Sequence, residues 1–418
     1  MKKHFYVITL LVSIFLIIYY LYDKPSTSKP GRGILRIPTI TNSSITALGD
    51  NRTFILSPYY DPRGLTPIVQ VLAIIHHSVT ELYCWFHCHP DSSVSVWAQI
   101  DLHSEWFGYP YGTAALLCAE PPDCPYHYIS VHWSNTSHIT HLPRFEVRNR
   151  PPPAAPSVNF TVCISTMYGN YNNVLQTIQS LEMYKLLGAG RVTLYLNQCH
   201  QNLEKVLRYY VEEGILEVIP WPIHKFLRTS GQWLFYLNNN SEVHYYGQTA
   251  TLNDCLYRNM YRSKFVFFND IDEIILPVKH HDWPSLVESL QQRYPKASAF
   301  LFENHIFPVF INGSEVNMWG EVPGVNILLN HYKEPVGLYN EKLLVNPRKI
   351  YQTSVHKIFK KDGQHGHVSP DLAYNVHCKD RRPIVGHDSL IEDRILSRYN
   401  VPLRENVNKV LQRVFFHH

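Results

Sequence analysis

The chain has 418 residues, of which 45% are hydrophobic and 17% charged, and its formal net charge is only +4 at pH 7. That balance belongs to an ordinary folded protein rather than a disordered chain, and it gives no basis for a nucleic-acid partner. Histidine and tyrosine are abundant, at 24 and 28 residues, but scattered histidines are ordinarily satisfied surface or core groups, so only those in the setting of a site carry weight.

From Phe5 to Tyr22 no charged residue occurs, and at a rise of about 1.5 Å per residue a helix of that length spans a thin secretory-pathway bilayer. Lys2 and Lys3 precede it; Asp23 and a Pro/Ser/Thr/Gly-rich stretch to Gly33 follow. The positive-inside rule then predicts a cytosolic tail (1–4), a membrane anchor (5–22) and a lumenal stem (23–60). A cleaved signal peptide is the competing reading, but its apolar core would be shorter and followed by small residues, whereas Ile17–Tyr22 is bulky to its end. Asn42, Asn51, Asn135, Asn159, Asn239 and Asn312 each begin an Asn-x-Ser/Thr acceptor, in keeping with a lumenal address. Of eight cysteines, Cys84, Cys88, Cys118 and Cys124 are crowded together. With His87 and His89 they could ligate zinc; an oxidising lumen favours two disulfides, whose pairing spacing does not decide.

Residues 61–149 read as a β-rich accessory module, a small antiparallel β-sandwich held by the four cysteines. Ile68–Ile75, Val94–Ile100 and Tyr128–Trp133 are β-branched or aromatic with turn residues between them. Trp106, Phe107 and Tyr109 are aromatics that would stack on sugar rings if exposed. Arg150–Pro156 breaks regular structure, which predicts a linker over 150–157. Beyond it strands and helices alternate: a strand at Phe160–Ser165, a helix over Val174–Tyr184 stopped by Gly188, a strand at Arg191–Leu196, a helix over Leu203–Tyr210 ended by Gly214, a strand at Ile215–Ile219, and a helix over Leu252–Met260 leading into Phe265–Phe268. The pattern predicts an α/β domain over 158–418, a parallel sheet with helices on both faces, in which ligands bind beyond the carboxyl ends of the strands.

The strand Phe265–Phe268 runs into Asn269-Asp270-Ile271-Asp272-Glu273. Three acids at the end of so apolar a strand would repel one another unless a cation sat among them. Asp270 and Asp272 are therefore the candidate ligands of a divalent metal that neutralises the diphosphate of a departing nucleotide, the chemistry of a GT-A type nucleotide-sugar transferase. A haloacid-dehalogenase type phosphatase is the rival; it would place the motif after its first strand, and here three strands precede. A lumenal lectin or scaffold with a decayed catalytic domain is the alternative of a different class.

Gly247–Arg258 and Phe267–Glu273, together with Met167–Asn173, Trp221–Ile223 and Thr353–Lys357, resemble glycosyltransferase family 92 over approximately Phe160 to Asp388. The resemblance implies a GT-A fold (a Rossmann-like mixed sheet), inverting stereochemistry, a manganese-type cofactor, UDP-galactose as donor, and a β-1,4-galactosyltransferase of N-glycans acting on core fucose or terminal galactose as a type II Golgi membrane protein, with a homodimer possible. Carried onto this sequence, it makes Asp270 and Asp272 metal ligands, joined by His356 in the strand-like run Ser354–Phe359, or alternatively by His377. Thr166, Tyr168 and Asn170 on the first loop are expected at the uridine. Gln248, Asn253, Asp254 and Arg258 are offered by the helix before the acidic pair, although Asp254 and Arg258, four apart, also suit a helix-surface ion pair. Lys342 and Arg348 are expected near the diphosphate. The base that inversion requires is assigned to Glu303, at the end of the strand Ala299–Phe302, or to Glu321.

Overall fold

The computed structural model describes residues 41–416 apart from 42, 90–91, 137–138, 233–239, 310–317 and 336–337. The predicted anchor at 5–22 and the sequons at Asn42, Asn239 and Asn312 lie outside the described residues. Among the described residues no helix is long and apolar enough to cross a membrane.

Eight strands build the first half: β1 (Thr46–Ala47), β2 (Thr53–Asp61), β3 (Ile68–His76), β4 (Tyr83–His89), β5 (Ser92–Leu102), β6 (Tyr111–Ala119), β7 (Tyr128–His132) and β8 (Phe145–Glu146). They form one antiparallel sheet in the order β1-β2-β3-β6-β5-β4-β7-β8. Arg148, just past β8, bridges back to Tyr59 of β2, with Tyr60 N–H donating to Arg148 O at 2.9 Å. The expected sandwich is thus a single sheet rolled onto itself, closing round Ile55, Val71, Phe86, Leu116 and Val131. It also begins earlier than expected. Phe54, Ile55, Leu56 and Tyr59 are buried along β2, so residues assigned to the stem are strand, because their apolar side chains have a core to enter. Cys84–Cys118 and Cys88–Cys124 are disulfides, which removes the zinc reading. Tyr109 is fully buried and Phe107 stacks on His244 at 3.9 Å, leaving Trp106, 38% exposed, as the open ring of the three expected aromatics.

The second half is a nine-stranded mixed sheet. Its strands are β9 (Val158–Met167), β10 (Arg191–Leu196), β11 (Leu216–Pro220), β12 (Ser263–Asn269), β13 (Glu273–Pro277) and β14 (Ala297–Pro308), then, beyond the short β15 (Tyr332–Lys333), β16 (Leu338–Val345). After the hairpin β17 (Ile350–Thr353) and β18 (Ile358–Lys361) come β19 (Gln364–Val368) and β20 (Ala373–Lys379); β21 (Ile391–Glu392) pairs with β15. The order is β11-β10-β9-β12-β16-β14-β20-β13, with β19 beside β14. Strands β9 to β12 are parallel, and β16 runs against both β12 and β14.

Alternation along these strands makes two cores. Phe267, Phe300 and Leu344 face four helices, α1 (Val174–Leu187), α2 (Gln201–Glu212), α4 (Trp283–Arg293) and α5 (Asn400–Leu411). Val266, Phe268, Leu343 and Val345 face α3 (Gln248–Arg258) and the first half of the chain. Helices do lie on both faces, but among the described residues the second face has one α-helix, and the rolled sheet covers much of the rest through Phe54, Leu56, Leu72 and Ile74. Thr39–His418 accordingly forms one compact unit, and the proline-rich segment at 150–157 is not a border between independent cores.

Local signals end the elements where chemistry demands. Gly188 closes α1 at φ 105°, and a Cβ there would sit 3.1 Å from Pro284 Cδ. Asp282 caps α4 by accepting from Ser285 N–H at 2.9 Å.

Candidate active site

Asp270 and Asp272 lie in the turn between β12 and β13, beyond the carboxyl end of a parallel strand. The turn is held from below. Tyr184 O–H donates to Glu273 O at 2.7 Å, Ser180 O–H to Ile271 O at 2.6 Å, and Cys378 N–H to Asp272 O at 2.9 Å. With its backbone fixed at three points, the turn aims both carboxylates into a cavity of about 330 Å³.

That cavity is walled by the end of β9 and its loop (Ser165, Thr166, Met167, Tyr168, Tyr171), by Tyr245 and Gln248 at the start of α3, and by Val355, His356 and Lys379. Tyr168 stacks on Tyr246 at 4.0 Å. Gln248 is 3% exposed; its Nε2 donates to Ser165 Oγ at 3.0 Å, while its Oε1 is buried without a hydrogen-bond partner. A buried orphan acceptor on a residue that lines a cavity is an explicable cost where a ligand supplies the donor.

The repulsion among the acids is relieved by ammonium groups. Lys342 Nζ lies 3.0 Å from Asp270 Oδ2 and 2.6 Å from Glu273 Oε2, and its side chain and that of Glu273 are both 1% exposed. On the other side His377 Nε2 lies 3.1 Å and Lys379 Nζ 3.2 Å from Asp272 Oδ2. The second ring nitrogen of His377 is 3.1 Å from Glu273 Oε1. Burial alone would raise the carboxyl pKa of Asp270, but the charge and hydrogen bond of Lys342, together with His377, hold it below its usual range. Asp272 is likewise pushed up by burial and pulled well down by His377 and Lys379. Lys342 is held protonated by Asp270 and Glu273 against its own burial. Both cavity acids are therefore ionised at neutral pH, each with an ammonium group beside it.

The structure sorts the remaining expected residues sharply. Thr166, Tyr168, Gln248 and His356 line the cavity. Asn170 does not; it borders a separate depression with Asn197, Cys199 and Glu204. Asn253 donates to Thr249 O and Thr353 O, both at 2.8 Å, and is wholly committed to holding β17. Asp254 accepts from Tyr59 O–H at 2.7 Å, from Tyr195 O–H at 2.5 Å and from Arg258 at 3.0 Å, all buried. The i,i+4 ion pair is thus the correct reading of Asp254 and Arg258, in the core rather than on a helix surface. Lys342 is too deep to line the cavity, and Arg348 donates to three backbone carbonyls, of Met260, Ser263 and Lys264.

His356 is not in a strand; it occupies the turn between β17 and β18, its Nδ1 3.1 Å from Glu341 O. Burial and then Lys342 lower its pKa to about 4, so its ring is neutral. Among the described residues no three His, Cys, Asp or Glu side chains converge as a metal-binding group. His377, whose two nitrogens both face carboxylates, orients Asp272 rather than offering an open nitrogen.

Neither expected base lines the cavity. β14 does not end at Phe302 but runs on to Pro308, with a register shift at Glu303. Strand alternation then turns Asn304 toward Asn375 and His377 and leaves Glu303 beside His305 at 3.2 Å, 41% exposed. Glu321 is exposed in a turn. Sequence reasoning also passed over Lys379, Tyr171, Tyr245 and Ser165. Tyr171 lies inside the family-like run Met167–Asn173 and Lys379 two residues past His377, so proximity to candidate residues was the available signal.

Residues 158–409 match the family model of glycosyltransferase family 92. The chain belongs to glycosyltransferase family 92. Among its family relatives is a Caenorhabditis elegans protein described as beta-1,4-galactosyltransferase galt-1, 26% identical over 241 residues, covering 55% of this chain and 52% of that protein. Another C. elegans family 92 protein is 27% identical over 266 residues, covering 62% and 48%. A galactan beta-1,4-galactosyltransferase of Arabidopsis thaliana is 25% identical over 231 residues, covering 52% and 41%. The chain thus spans about half the length of the curated relatives it matches, or less. Among solved structures, GalNAc-T7 with UDP, GalNAc and Mn²⁺ aligns at a TM-score of 0.30 and 7% identity over 60% of this chain and 48% of that one. TarS from S. aureus with UDP-GlcNAc aligns at 0.28 and 14% over 62% and 65%. At TM-scores this low neither likeness bears on fold or ligand. Family membership, with the acidic pair after the fourth strand of its sheet in chain order, removes the haloacid-dehalogenase reading.

Proposed function

We propose that this family 92 protein is an inverting, divalent-metal-dependent galactosyltransferase. It moves galactose from UDP-galactose to a glycan hydroxyl, in β-1,4 linkage on N-glycan galactose or core fucose, as a single-pass type II protein of the Golgi membrane. The observation that carries the reading is the pair of ionised carboxylates, Asp270 and Asp272, opening into the cavity that the first-strand loop and the start of α3 enclose. Two relatives described as β-1,4-galactosyltransferases, from a worm and a plant, support the choice of sugar and linkage.

The donor set fits a hard divalent cation. Two carboxylates without an all-protein cage are the ligation expected where substrate phosphates complete the coordination shell. Asp270 and Asp272 would hold Mn²⁺, and His356 is the imidazole on the same wall. When bound, the ion supplies electrophilic stabilisation of charge on the departing diphosphate. The chain's own residues do the positioning. Lys342 and His377 fix the two carboxylates, the fastened turn keeps them from turning away, and Tyr168 with Tyr245 and Tyr171 encloses the ligand and limits water.

Purified protein is expected to release UDP from UDP-galactose only with Mn²⁺ supplied, and Asp270→Asn or Asp272→Asn should each lower the rate by roughly 10²-fold or more. Variants as active as the parent would sink the assignment. A parent that hydrolyses no donor yet binds free sugar through the rolled sheet would support the lectin reading instead.

A further inference from the structure

Lys342 and Lys379 both touch the acidic pair, but differ in what they can do next. Lys342 is 1% exposed and committed to two carboxylates. Lys379 is 39% exposed, reaches one oxygen, Asp272 Oδ2 at 3.2 Å, and lies on the cavity wall. Among the described residues it is the one Lys or Arg that lines the cavity. Its backbone cannot drift, because Cys378 N–H is hydrogen-bonded to Asp272 O and β20 is paired to β13 with Glu273 opposite His377. A flexible side chain on a fixed strand, held by a single surface contact, can exchange partners at little cost.

We propose that Lys379 is a donor-binding residue that alternates between two partners: it compensates Asp272 while the site is empty, and it moves to a diphosphate oxygen of the nucleotide sugar once a divalent cation takes over Asp272. The inference rests on the galactosyltransferase reading and deepens it. The electrostatics run in one direction. With the site empty, the Lys379 ammonium sits on Asp272 Oδ2; a divalent cation held by Asp270 and Asp272 would displace it by like-charge repulsion and leave it beside an incoming phosphate. Lys379 is then both a competitor of the metal and an ally of the nucleotide, and those roles have opposite signatures.

Calorimetric titration of the full-length protein with MnCl₂ alone, and with UDP or uridine at saturating Mn²⁺, reads the two roles separately. Lys379→Met should bind Mn²⁺ several-fold more tightly, because an ammonium no longer competes for Asp272. It should bind UDP about tenfold or more weakly and uridine unchanged. Lys379→Arg, which keeps the charge, should retain most of the UDP affinity. Equal or weaker Mn²⁺ binding by Lys379→Met overturns the proposal, as does UDP affinity equal to that of the parent or a parallel loss for UDP and uridine. A parent that binds no UDP with Mn²⁺ present removes the galactosyltransferase reading and the proposal together, whereas normal parental binding with an unaltered Lys379→Met removes the proposal alone.

Discussion

Glu273 is the acid that the cavity does not use, and it explains why the other two stay in place. It accepts from Asp270 N–H at 3.0 Å, faces Lys342 at 2.6 Å and His377 at 3.1 Å, and is shut off from solvent. Removing one member of such a buried pair strands the other. Lys342→Met is therefore expected to destabilise the fold by about 3–5 kcal/mol, read as a shift of the urea midpoint at unchanged slope; a loss under about 1 kcal/mol would mean that the pair is solvated. Gln248 acts on the ligand side. Gln248→Ala removes a buried acceptor that a bound donor would satisfy, and the KM for UDP-galactose should rise by about five- to tenfold, with kcat nearly unaltered in steady-state assays. At this scale the sequence revealed the acids but not their partners. An apolar strand running into Asp-x-Asp-Glu is a local signal, whereas Lys342 and Lys379 reach the cluster only through the pairing of β16 with β12 and of β20 with β13. Glu303 was misplaced for the complementary reason: β14 runs on past Phe302 to Pro308, so its alternation turns Asn304 rather than Glu303 toward His377, and a strand's length is set by its neighbours in the sheet.

Helix α3 shows what a single element contributes. Every one of its residues is buried, and three anchors immobilise it: the Cys163–Cys255 disulfide to β9, Asn253 to β17, and Asp254 to Tyr59 and Tyr195. Its first residue is Gln248, set by Gly247 in the left-handed conformation at φ 74°, where a Cβ would come within 3.2 Å of Trp221. The helix was legible from Leu252, Leu256 and Met260, with Gln248 placed on it by the family-like run Gly247–Arg258, but the partners of Asn253 in β17 and of Asp254 at Tyr59 and Tyr195 were not. Its disulfide was not legible either, since 92 residues separate the partners. Replacing both cysteines by serine is expected to cost about 2–5 kcal/mol, measurable as a lowered Tm, and to lose donor affinity along with stability because Gln248 moves with the helix.

The molecule as a whole is welded along the second face of its large sheet. Arg63 in the first half donates to Ile350 O at 2.6 Å and to Tyr257 O–H at 2.9 Å, and lies over the Tyr351 ring at 4.1 Å. Expression of residues 158–418 alone should accordingly give aggregated protein, scored by size-exclusion chromatography, because Phe268, Leu343 and Val345 lose their cover. The seam between the halves and the rolled sheet also carry a response to acid. Burial lowers the pKa of His87 and His103 to about 4 and that of His244, which packs on Phe107, to about 3. All three lie below the unfolded value near 6.5. The unfolded chain then takes up protons first as pH falls, so the stabilisation is complete above pH ~6.5 and is lost through the folded values. Tm should fall progressively between pH 6.5 and 4, and less steeply in His103→Gln. The proline run that reads as a border in the sequence is a crossing between two sheets that share side chains, something composition cannot reveal because apolar residues look alike whichever layer they enter.

One practical corollary concerns hybrid enzymes. Because Phe54, Leu56, Leu72 and Ile74 interdigitate with α3 and the back of β12, the upstream half is not a cassette that can be exchanged between relatives at the Pro151–Pro153 junction. A crossover there would mate two surfaces cut to different shapes, while one placed ahead of Thr41 would transplant both halves with their seam intact.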